Sequence, residues 1–443
     1  MKRADKLPTD ENLINSLSND TVNRNKDIAY FVKLLSSITG NFTISIDDEW
    51  GNGKTFFVKQ VKLVIDIYND FIYKNYDISK NDCEKVLSKM NEYISEDDII
   101  SQVTVYYDAW DNDNDNDPIL SIIYSILEQI DSDYSWLKKP DNLKIVSSIV
   151  SFVTNKRVDV LNENLKEENI LSEIEKNHSL KNKVNEFLNS LLPEHGDRLI
   201  VFIDELDRCR PDYAVKLLER IKHYFINDYI TFVFSTNLSE LQYTISRFYG
   251  NGFSSYKYLD RFFDLKITLP PASIDSFYKN NIPPEIIAVE KCVIEKFHFS
   301  LRDVVKYLEL NKTAQSVLLS EKNYFNNKLI EFCYLFVVPI AIGLNFHDKN
   351  MYYDFINGKG ESILTDILSI TSVGIHLDSY LGNASHNLDN RKKAIANKYK
   401  SIFEKTTIPD GVLTDTTAKK FILRVDSILS DYAEYNERVA LPI

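Results

Sequence analysis

The sequence predicts an α/β fold in which a five-stranded, mainly parallel sheet carries helical insertions and is followed by an α-helical C-terminal domain. Five short apolar segments have the length of strands, and helical patterns separate them, which favours a doubly wound parallel sheet. No further strand is predicted beyond Pro270-Pro271. The predicted strands are 42–47, 102–107, 199–203, 230–235 and 265–269.

Apolar periodicity predicts helices between and after these strands. The clearest helix begins at Pro211-Asp212, because Tyr213, Leu217 and Ile221 then repeat at close to 3.6-residue spacing. Helical insertions are predicted at about 57–95 and 118–192, and C-terminal helices at 285–309, 323–346, 389–405 and 415–437.

The composition is that of a large protein with an acidic surface. With 443 residues, 44% of them hydrophobic, the chain can bury one large core or two ordinary ones. We expect two domains, 1–275 and a helical lid domain at 276–443. Lysine and arginine number 52 against 65 acidic residues. The net charge of −13 argues against a surface that binds nucleic acid or anionic lipid throughout, so charge does not support a nucleic-acid partner.

Cysteine spacing and hydropathy predict a cytoplasmic protein without a membrane span. The four cysteines have neither metal-binding nor secretory spacing, and we interpret them as reduced thiols. The polar start of the chain lacks the apolar core of a signal peptide. The longest apolar run, 332–344, has 13 residues and contains Pro339, whereas a membrane span needs about 20. We therefore expect this run to be a buried helix.

A glycine-rich loop lies between the first predicted strand and an apolar helix. In such a setting glycines let backbone N–H groups approach phosphate oxygens. Lys54 would contact the β- and γ-phosphates, and Thr55 would supply a hydroxyl to Mg²⁺. The alternative is an ordinary Gly/Asn turn that opens a helix. The loop reads Asp48-Glu49-Trp50-Gly51-Asn52-Gly53-Lys54-Thr55.

Two carboxylates follow the apolar strand at 199–203. A buried parallel strand delivers such groups to the carboxyl edge of the sheet. Asp204 would hold the metal, and Glu205 would orient or deprotonate water; a solvated turn is the alternative. Because this segment and the glycine-rich loop occur in order, each on the expected element, together they predict a P-loop NTPase with ATP and Mg²⁺ as cofactors.

Four segments together resemble the KAP family of P-loop NTPases, over about residues 20–275. The resemblance implies that Trp50, Gly51, Asn52, Gly53 and Phe56 belong to the nucleotide-binding loop with Lys54 and Thr55. The segments are Glu49-Trp50-Gly51-Asn52-Gly53-Lys54-Thr55, Val105-Tyr106-Tyr107-Asp108-Ala109-Trp110, Asp204-Glu205-Leu206-Asp207-Arg208-Cys209-Arg210-Pro211, and Tyr258-Leu259-Asp260-Arg261-Phe262-Phe263 with Leu269-Pro270-Pro271.

Asp48 departs from the family pattern, which usually has Gly at the first loop position. A side chain there is strained unless it tolerates a positive φ, and Asp is one of the residues that does. Its charge would oppose phosphate binding. We expect a left-handed backbone at Asp48, weakened nucleotide affinity and activity, and tighter binding in Asp48→Gly.

Three further polar residues each have two interpretations. Asn237, after the fourth strand, is similar to a sensor that contacts the attacking water or the γ-phosphate, or it is a helix N-cap. Arg261 would reach a neighbour's γ-phosphate in an oligomer, or it pairs with Asp260 or Asp264. Arg302 resembles a lid arginine that binds nucleotide, or it is a solvated helix residue.

The resemblance implies Mg²⁺-dependent ATP hydrolysis coupled to conformational change or assembly, in a homo-oligomer or a partner-protein complex. Relatives by resemblance occur in bacterial and mobile-element settings, including antiphage defence. One rival function is a nucleotide-gated interaction module with negligible hydrolysis. A nucleic-acid motor is the other, although no basic stripe or base-stacking motif is present.

Overall fold

The chain divides into two compact units, Lys6–Ser273 and Ile274–Ile443. The assignment of these regions as an NTPase domain and a lid domain stays a prediction. The structure, a computed structural model, describes residues 7–69, 76, 78–131, 133–154, 171–273, 276, 284–320, 327–381, 388–407, 413–415 and 417–439.

The first unit contains the predicted five-stranded sheet, and all of its strand pairs are parallel. The order across the sheet is β2-β3-β4-β1-β5. Each predicted strand is confirmed to within one residue at either end. The strands are β1 (Phe42–Asp47), β2 (Gln102–Asp108), β3 (Arg198–Asp204), β4 (Ile230–Thr236) and β5 (Leu265–Thr268).

Helices cover both faces of this sheet, because its central strands are apolar on both sides. On β3, Ile200 and Phe202 pack with α1 to α4, whereas Leu199, Val201 and Ile203 pack with α5 to α10. The helices are α1 (Asp10–Asn19), α2 (Asn25–Ser37), α3 (Lys54–Tyr68), α4 (Lys80–Met90), α5 (Pro118–Ile130), α6 (Pro140–Thr154), α7 (Leu171–Leu191), α8 (Pro211–Tyr224), α9 (Leu238–Tyr249) and α10 (Ser255–Asp260), with 3₁₀ turns at Glu96–Asp98, Leu192–Glu194 and Leu206–Arg208.

The second unit is mainly helical, as predicted, around its own apolar core. It also contains a short antiparallel pair, β6 (Lys405–Thr407) and β7 (Leu413–Asp415), so the expectation of no strand beyond Pro271 is wrong. The helices are α11 (Pro284–Phe297), α12 (Leu301–Ser320), α13 (Lys328–Phe332), α14 (Val338–His347), α15 (Lys349–Asp354), α16 (Glu361–Leu368), α17 (Thr371–Leu381), α18 (Leu388–Phe403) and α19 (Thr417–Val439), with π turns at Cys333–Val337 and Phe355–Lys359.

The apolar run around Pro339 lies in the helix predicted at 323–346, of which the structure describes residues 327 onward. A π turn joins α13 to α14, so that Lys328–His347 forms one apolar helical segment of 20 residues. By length and composition alone this segment, the one such helix among the described residues, is able to cross a membrane. However, 72% of its apolar window is buried inside the protein. Burial in the core of the second unit is sufficient to explain the apolar composition of this segment.

Candidate active site

Two glycines in left-handed conformation shape the loop between β1 and α3. Gly51 has a φ of 90° and Gly53 a φ of 87°, a region that side chains rarely adopt. Because α3 begins at Lys54, the backbone N–H groups of Lys54, Thr55 and Phe56 have no acceptor in the described part of the chain. Unpaired N–H groups at the start of a helix attract anions. The loop therefore has the form that phosphate binding requires.

The Lys54 ammonium is folded back onto this loop. Its Nζ donates to the backbone carbonyls of Asp48 at 2.6 Å and Glu49 at 2.9 Å, and the residue is 9% exposed. Burial lowers the pKa of Lys54, while attraction to carboxylates that include Asp207 and Asp204 opposes that decrease. Lys54 thus lies within electrostatic reach of the acidic groups that follow β3.

The Asp48 carboxylate ties the loop together. Its Oδ1 accepts hydrogen bonds from the Glu49 backbone N–H and from the Asn52 side-chain amide, both at 2.7 Å. Asp48 is not among the described residues with positive φ. The expected left-handed backbone at this position is therefore wrong, and the side chain has a structural role that glycine cannot supply.

The parallel register brings the polar ends of the strands to one edge of the sheet. Asp108 lies beside Asp204, Asp204 lies beside Ser235, and Asp47 lies beside Thr236. Strand β4 separates β3 from β1. The carboxylates after β3 are consequently close to the glycine-rich loop, with the end of β4 between them.

Asp204 is held in a fixed orientation at the end of β3. It is 1% exposed, and its Oδ2 accepts a hydrogen bond from the Tyr106 hydroxyl at 2.9 Å. Its Oδ1 accepts from the Glu205 backbone N–H at 3.0 Å. Burial, and next the charge of Asp204, raise the pKa of Tyr106, so that this hydroxyl remains a neutral donor. The Asp204 carboxylate is therefore held in a fixed position at the edge of the sheet.

Glu205 occupies left-handed backbone, with a φ of 59°, which turns the chain sharply after the strand. Its carboxylate forms an ion pair with Arg208, whose guanidinium lies 5.4 Å from the ring centroid of Trp110. Burial, and then repulsion from Asp204, raise the pKa of Glu205 to about 7. In this conformation the predicted catalytic carboxylate is held by a neighbouring cation.

Asp207 connects three parts of the site. One carboxylate oxygen accepts a hydrogen bond from the Trp50 indole N–H, and the other accepts from the Thr236 hydroxyl at 2.9 Å. Asp207 is 7% exposed. Trp50 is thus attached to the acidic segment, and the glycine-rich loop is joined to the ends of β3 and β4.

Asn237 follows β4 and caps α9. Its side-chain oxygen accepts from the backbone N–H groups of Ser239 at 3.1 Å and Glu240 at 3.2 Å. The N-cap interpretation therefore describes the observed contacts. A sensor role would have to use the remaining amide nitrogen, and it stays a prediction.

Arg261 is exposed at the end of α10, next to β5. Asp260 binds the Lys266 ammonium at 2.7 Å, and the Asp264 carboxylate accepts from the Thr43 backbone N–H at 2.9 Å. The local ion pair considered for Arg261 is therefore absent, and Arg261 has no ion-pair partner among the described residues. Its predicted action on a neighbouring subunit is untested.

Arg302 belongs to the second unit, where it is exposed in the first turn of α12. The lid interpretation requires contact with a nucleotide held by the first unit. That contact stays a prediction.

The family model of the KAP family P-loop domain matches residues 24–326, and this range is more than half of the chain. The chain belongs to the KAP family. No curated protein matches it. Among solved structures the chain is similar to C. elegans PCH-2, with 11% sequence identity, a TM-score of 0.21, and coverage of 87% of this chain and 69% of that one. A likeness at this level carries no information on function.

The donor set of this KAP protein fits a nucleotide with Mg²⁺. Unpaired backbone N–H groups and Lys54 suit phosphate oxygens, and the Thr55 hydroxyl and Asp204 carboxylate are the hard oxygen ligands that Mg²⁺ prefers. No cluster of three or more His, Cys, Asp or Glu side chains able to hold a metal occurs in the described ranges.

Sequence reasoning predicted neither a place for Arg24 in this KAP site nor the contacts that Asp207 makes there. Asp207 stands two residues after Glu205 in the acidic segment, but its partners Trp50 and Thr236 are distant in sequence. Arg24 precedes α2 and donates to the Asn52 carbonyl at 3.1 Å. No local pattern predicts either contact, because each joins separate elements.

We expect Asp48→Asn to bind ATP about 3- to 10-fold more tightly than the parent chain. Asparagine keeps the oxygen that accepts from Glu49 and Asn52, while it removes a charge that opposes phosphate by about 2 to 3 kcal/mol before screening. Isothermal titration calorimetry with MgATP measures the change.

Asp48→Gly is the informative comparison for this prediction. Glycine removes the charge and also both loop hydrogen bonds, so it should gain less affinity than Asp48→Asn. If Asp48→Gly binds more tightly than Asp48→Asn, the hydrogen bonds of Asp48 do not support the loop.

Proposed function

We propose that this KAP-family protein hydrolyses ATP with Mg²⁺ and couples hydrolysis to conformational change or assembly. Membership of the KAP family supports nucleotide binding and, at a coarse level, nucleotide hydrolysis. One observation carries the finer proposal: Lys54 lies within electrostatic reach of Asp204 and Glu205 at the carboxyl edge of a single sheet, beside a loop with unpaired N–H groups.

Each residue of this edge has a distinct task in the proposed reaction. The loop N–H groups and Lys54 hold the phosphates and offset their charge. Thr55 and Asp204 would hold Mg²⁺, which when bound neutralises charge on the phosphates. Glu205 orients the attacking water and accepts its proton. Asp207 keeps the loop in register with the acidic segment through Trp50.

We propose that the ion pair between Glu205 and Arg208 opens before Glu205 acts on water. The guanidinium pairs with Oε2, one of the two carboxylate oxygens of Glu205. Its charge opposes the increase that burial causes in the pKa of Glu205, and so disfavours transfer of a proton to it. A change of conformation on nucleotide binding or assembly would release it. This requirement links the chemistry to the movement that we propose.

Single-turnover hydrolysis of radiolabelled ATP by excess protein tests the function. We expect phosphate release with Mg²⁺ and none with EDTA, and no stimulation by DNA. Saturable ATP binding without phosphate release would instead support the second candidate, a nucleotide-gated interaction module. That candidate is favoured by the engagement of Glu205 with Arg208. Release that depends on DNA would point to a nucleic-acid motor.

We also propose that hydrolysis depends on a homo-oligomer in which Arg261 acts on the neighbouring site. Arg261 is exposed and lacks an ion-pair partner in the described part of the chain, so it is available to a second copy. Activity per chain should rise with protein concentration. Subunits with Arg261→Ala and subunits with Glu205→Gln should be inactive alone and regain activity when mixed, because one mixed interface contains both intact groups.

Lys257→Ala is the matched control, because Lys257 is an exposed cation on the same short helix. It should leave the concentration dependence unchanged. Constant specific activity across a wide dilution series, with a monomer throughout by analytical ultracentrifugation, would rule out the assembly proposal.

A bacterial antiphage or mobile-element role and a cytoplasmic location are the biological setting that we propose from the KAP resemblance. Co-purification from the native host tests it, by showing which proteins or nucleic acids accompany the chain. Recovery with membrane fractions alone would contradict the cytoplasmic location.

A further inference from the structure

Arg24 is a buried cation behind the glycine-rich loop. It directly precedes α2 and is 4% exposed. Its Nη1 donates to the Asn52 backbone carbonyl at 3.1 Å, whereas its Nε has no hydrogen-bond partner in the described structure. A buried guanidinium with unsatisfied donors is costly unless a negative charge compensates it. Such a residue requires an explanation beyond packing.

Asn52 connects Arg24 to the unusual acid of the loop. The Asn52 carbonyl accepts from Arg24, and the Asn52 side-chain amide donates to the Asp48 carboxylate at 2.7 Å. Arg24 and Asp48 therefore hold the same residue from two sides with opposite charges. No ion pair within 4.0 Å joins them directly, since Asn52 lies between them.

The electrostatics agree with this geometry. Burial lowers the pKa of Arg24 to about 10, and the strongest opposing influence is the attraction of Asp48, followed by that of Asp27. The guanidinium stays charged at neutral pH. Its field thus offsets the Asp48 charge at the position where phosphates would bind.

We propose that Arg24 is a positioning residue that lets this loop carry an acid at its first position, by bracing Asn52 and neutralising Asp48. The inference rests on the proposed nucleotide-binding function. It differs from a direct phosphate contact, because the Arg24 guanidinium acts through Asn52 and Asp48. Loss of Arg24 should therefore matter most when Asp48 is charged.

A double-mutant cycle on MgATP binding by calorimetry tests the inference. Arg24→Gln should weaken binding about tenfold or more in the parent chain, but only about two- to threefold in the Asp48→Asn background, within the range of coupling between neighbouring groups. Arg24→Lys keeps the charge and should recover part of the affinity. An equal factor for Arg24→Gln in both backgrounds would overturn the proposal, because Arg24 would then act independently of Asp48.

Arg198→Gln is the matched control for loss of a buried arginine. Arg198 is 6% exposed, and its guanidinium donates to the carbonyls of Asp228 and Gly40 and to the Thr231 hydroxyl, at the opposite end of β3. Any effect of Arg198→Gln should be the same with and without Asp48→Asn. Thermal unfolding of every variant, followed by circular dichroism, shows whether a loss of affinity results from unfolding. If the parent chain itself binds no MgATP, the proposed function fails rather than the role of Arg24.

Discussion

Glu205→Gln is expected to bind MgATP with nearly parental affinity and to hydrolyse it about 100- to 10,000-fold more slowly, the range that a positioned general base contributes. Glutamine has the same shape and can still accept a hydrogen bond from Arg208, so the fold and the loop are preserved. Glutamine cannot accept a proton from water. Calorimetry for binding and single-turnover phosphate release for chemistry measure the two effects on the same preparation.

Glu128→Gln is a suitable control for this change, because Glu128 is an exposed glutamate on α5. Turnover in that variant should equal that of the parent. If Glu205→Gln hydrolyses ATP at the parental rate, Glu205 is not the base. Asp207 is a poor replacement for it, since both of its carboxylate oxygens already accept hydrogen bonds from Trp50 and Thr236.

Lys54→Ala is expected to weaken MgATP binding by about 100-fold or more. A hydrogen bond to a charged group is worth about 1.5 to 3 kcal/mol, and each 1.4 kcal/mol is about tenfold in affinity. Lys54 would make such contacts with the phosphates, and its charge also offsets the carboxylates after β3. Titration with a fluorescent ATP analogue, with competition by unlabelled ATP, gives the affinity.

The control for Lys54→Ala is Lys89→Ala, which removes an exposed lysine of α4 whose surface pair with Glu92 contributes little. That variant should bind as the parent does. Parental affinity in Lys54→Ala would contradict the assignment of the phosphate site to this loop. Equal melting temperatures for parent and variant would show that any loss of binding is local.

The strands and the order of the motifs were predictable because they depend on short-range patterns. A fully buried strand such as β3 is a continuous apolar run that ends at Asp204, and this pattern stands out from the surrounding helices. The pair β6 and β7 was missed because each strand has only three residues, too few for an alternating pattern. The helix around Pro339 was predictable from a short-range pattern as well, because the apolar run 332–344 lies inside the observed segment Lys328–His347 and includes the π turn at Cys333–Val337.

The contacts that complete the site were less accessible to sequence reasoning. Asp48 was predicted as a handicap from its charge alone, but its hydrogen bond to Asn52 depends on the closed shape of the loop. Arg24 lies 28 positions before Asn52, and Trp50 lies 157 positions before Asp207. Such contacts arise only once the sheet order has placed distant segments side by side.

The hydrogen bond from Trp50 to Asp207 also provides an optical reporter of the loop. The chain has three tryptophans, of which Trp136 is buried at 1% exposure, whereas Trp50 and Trp110 are about half exposed beside the carboxylates. Indole emission responds to the polarity and hydrogen bonding around the ring, so any rearrangement of the loop alters the light emitted by Trp50. Comparison of the parent with Trp50→Phe identifies the part of the emission that comes from Trp50. The natural sequence thus makes loop motion visible in a stopped-flow fluorimeter without a label.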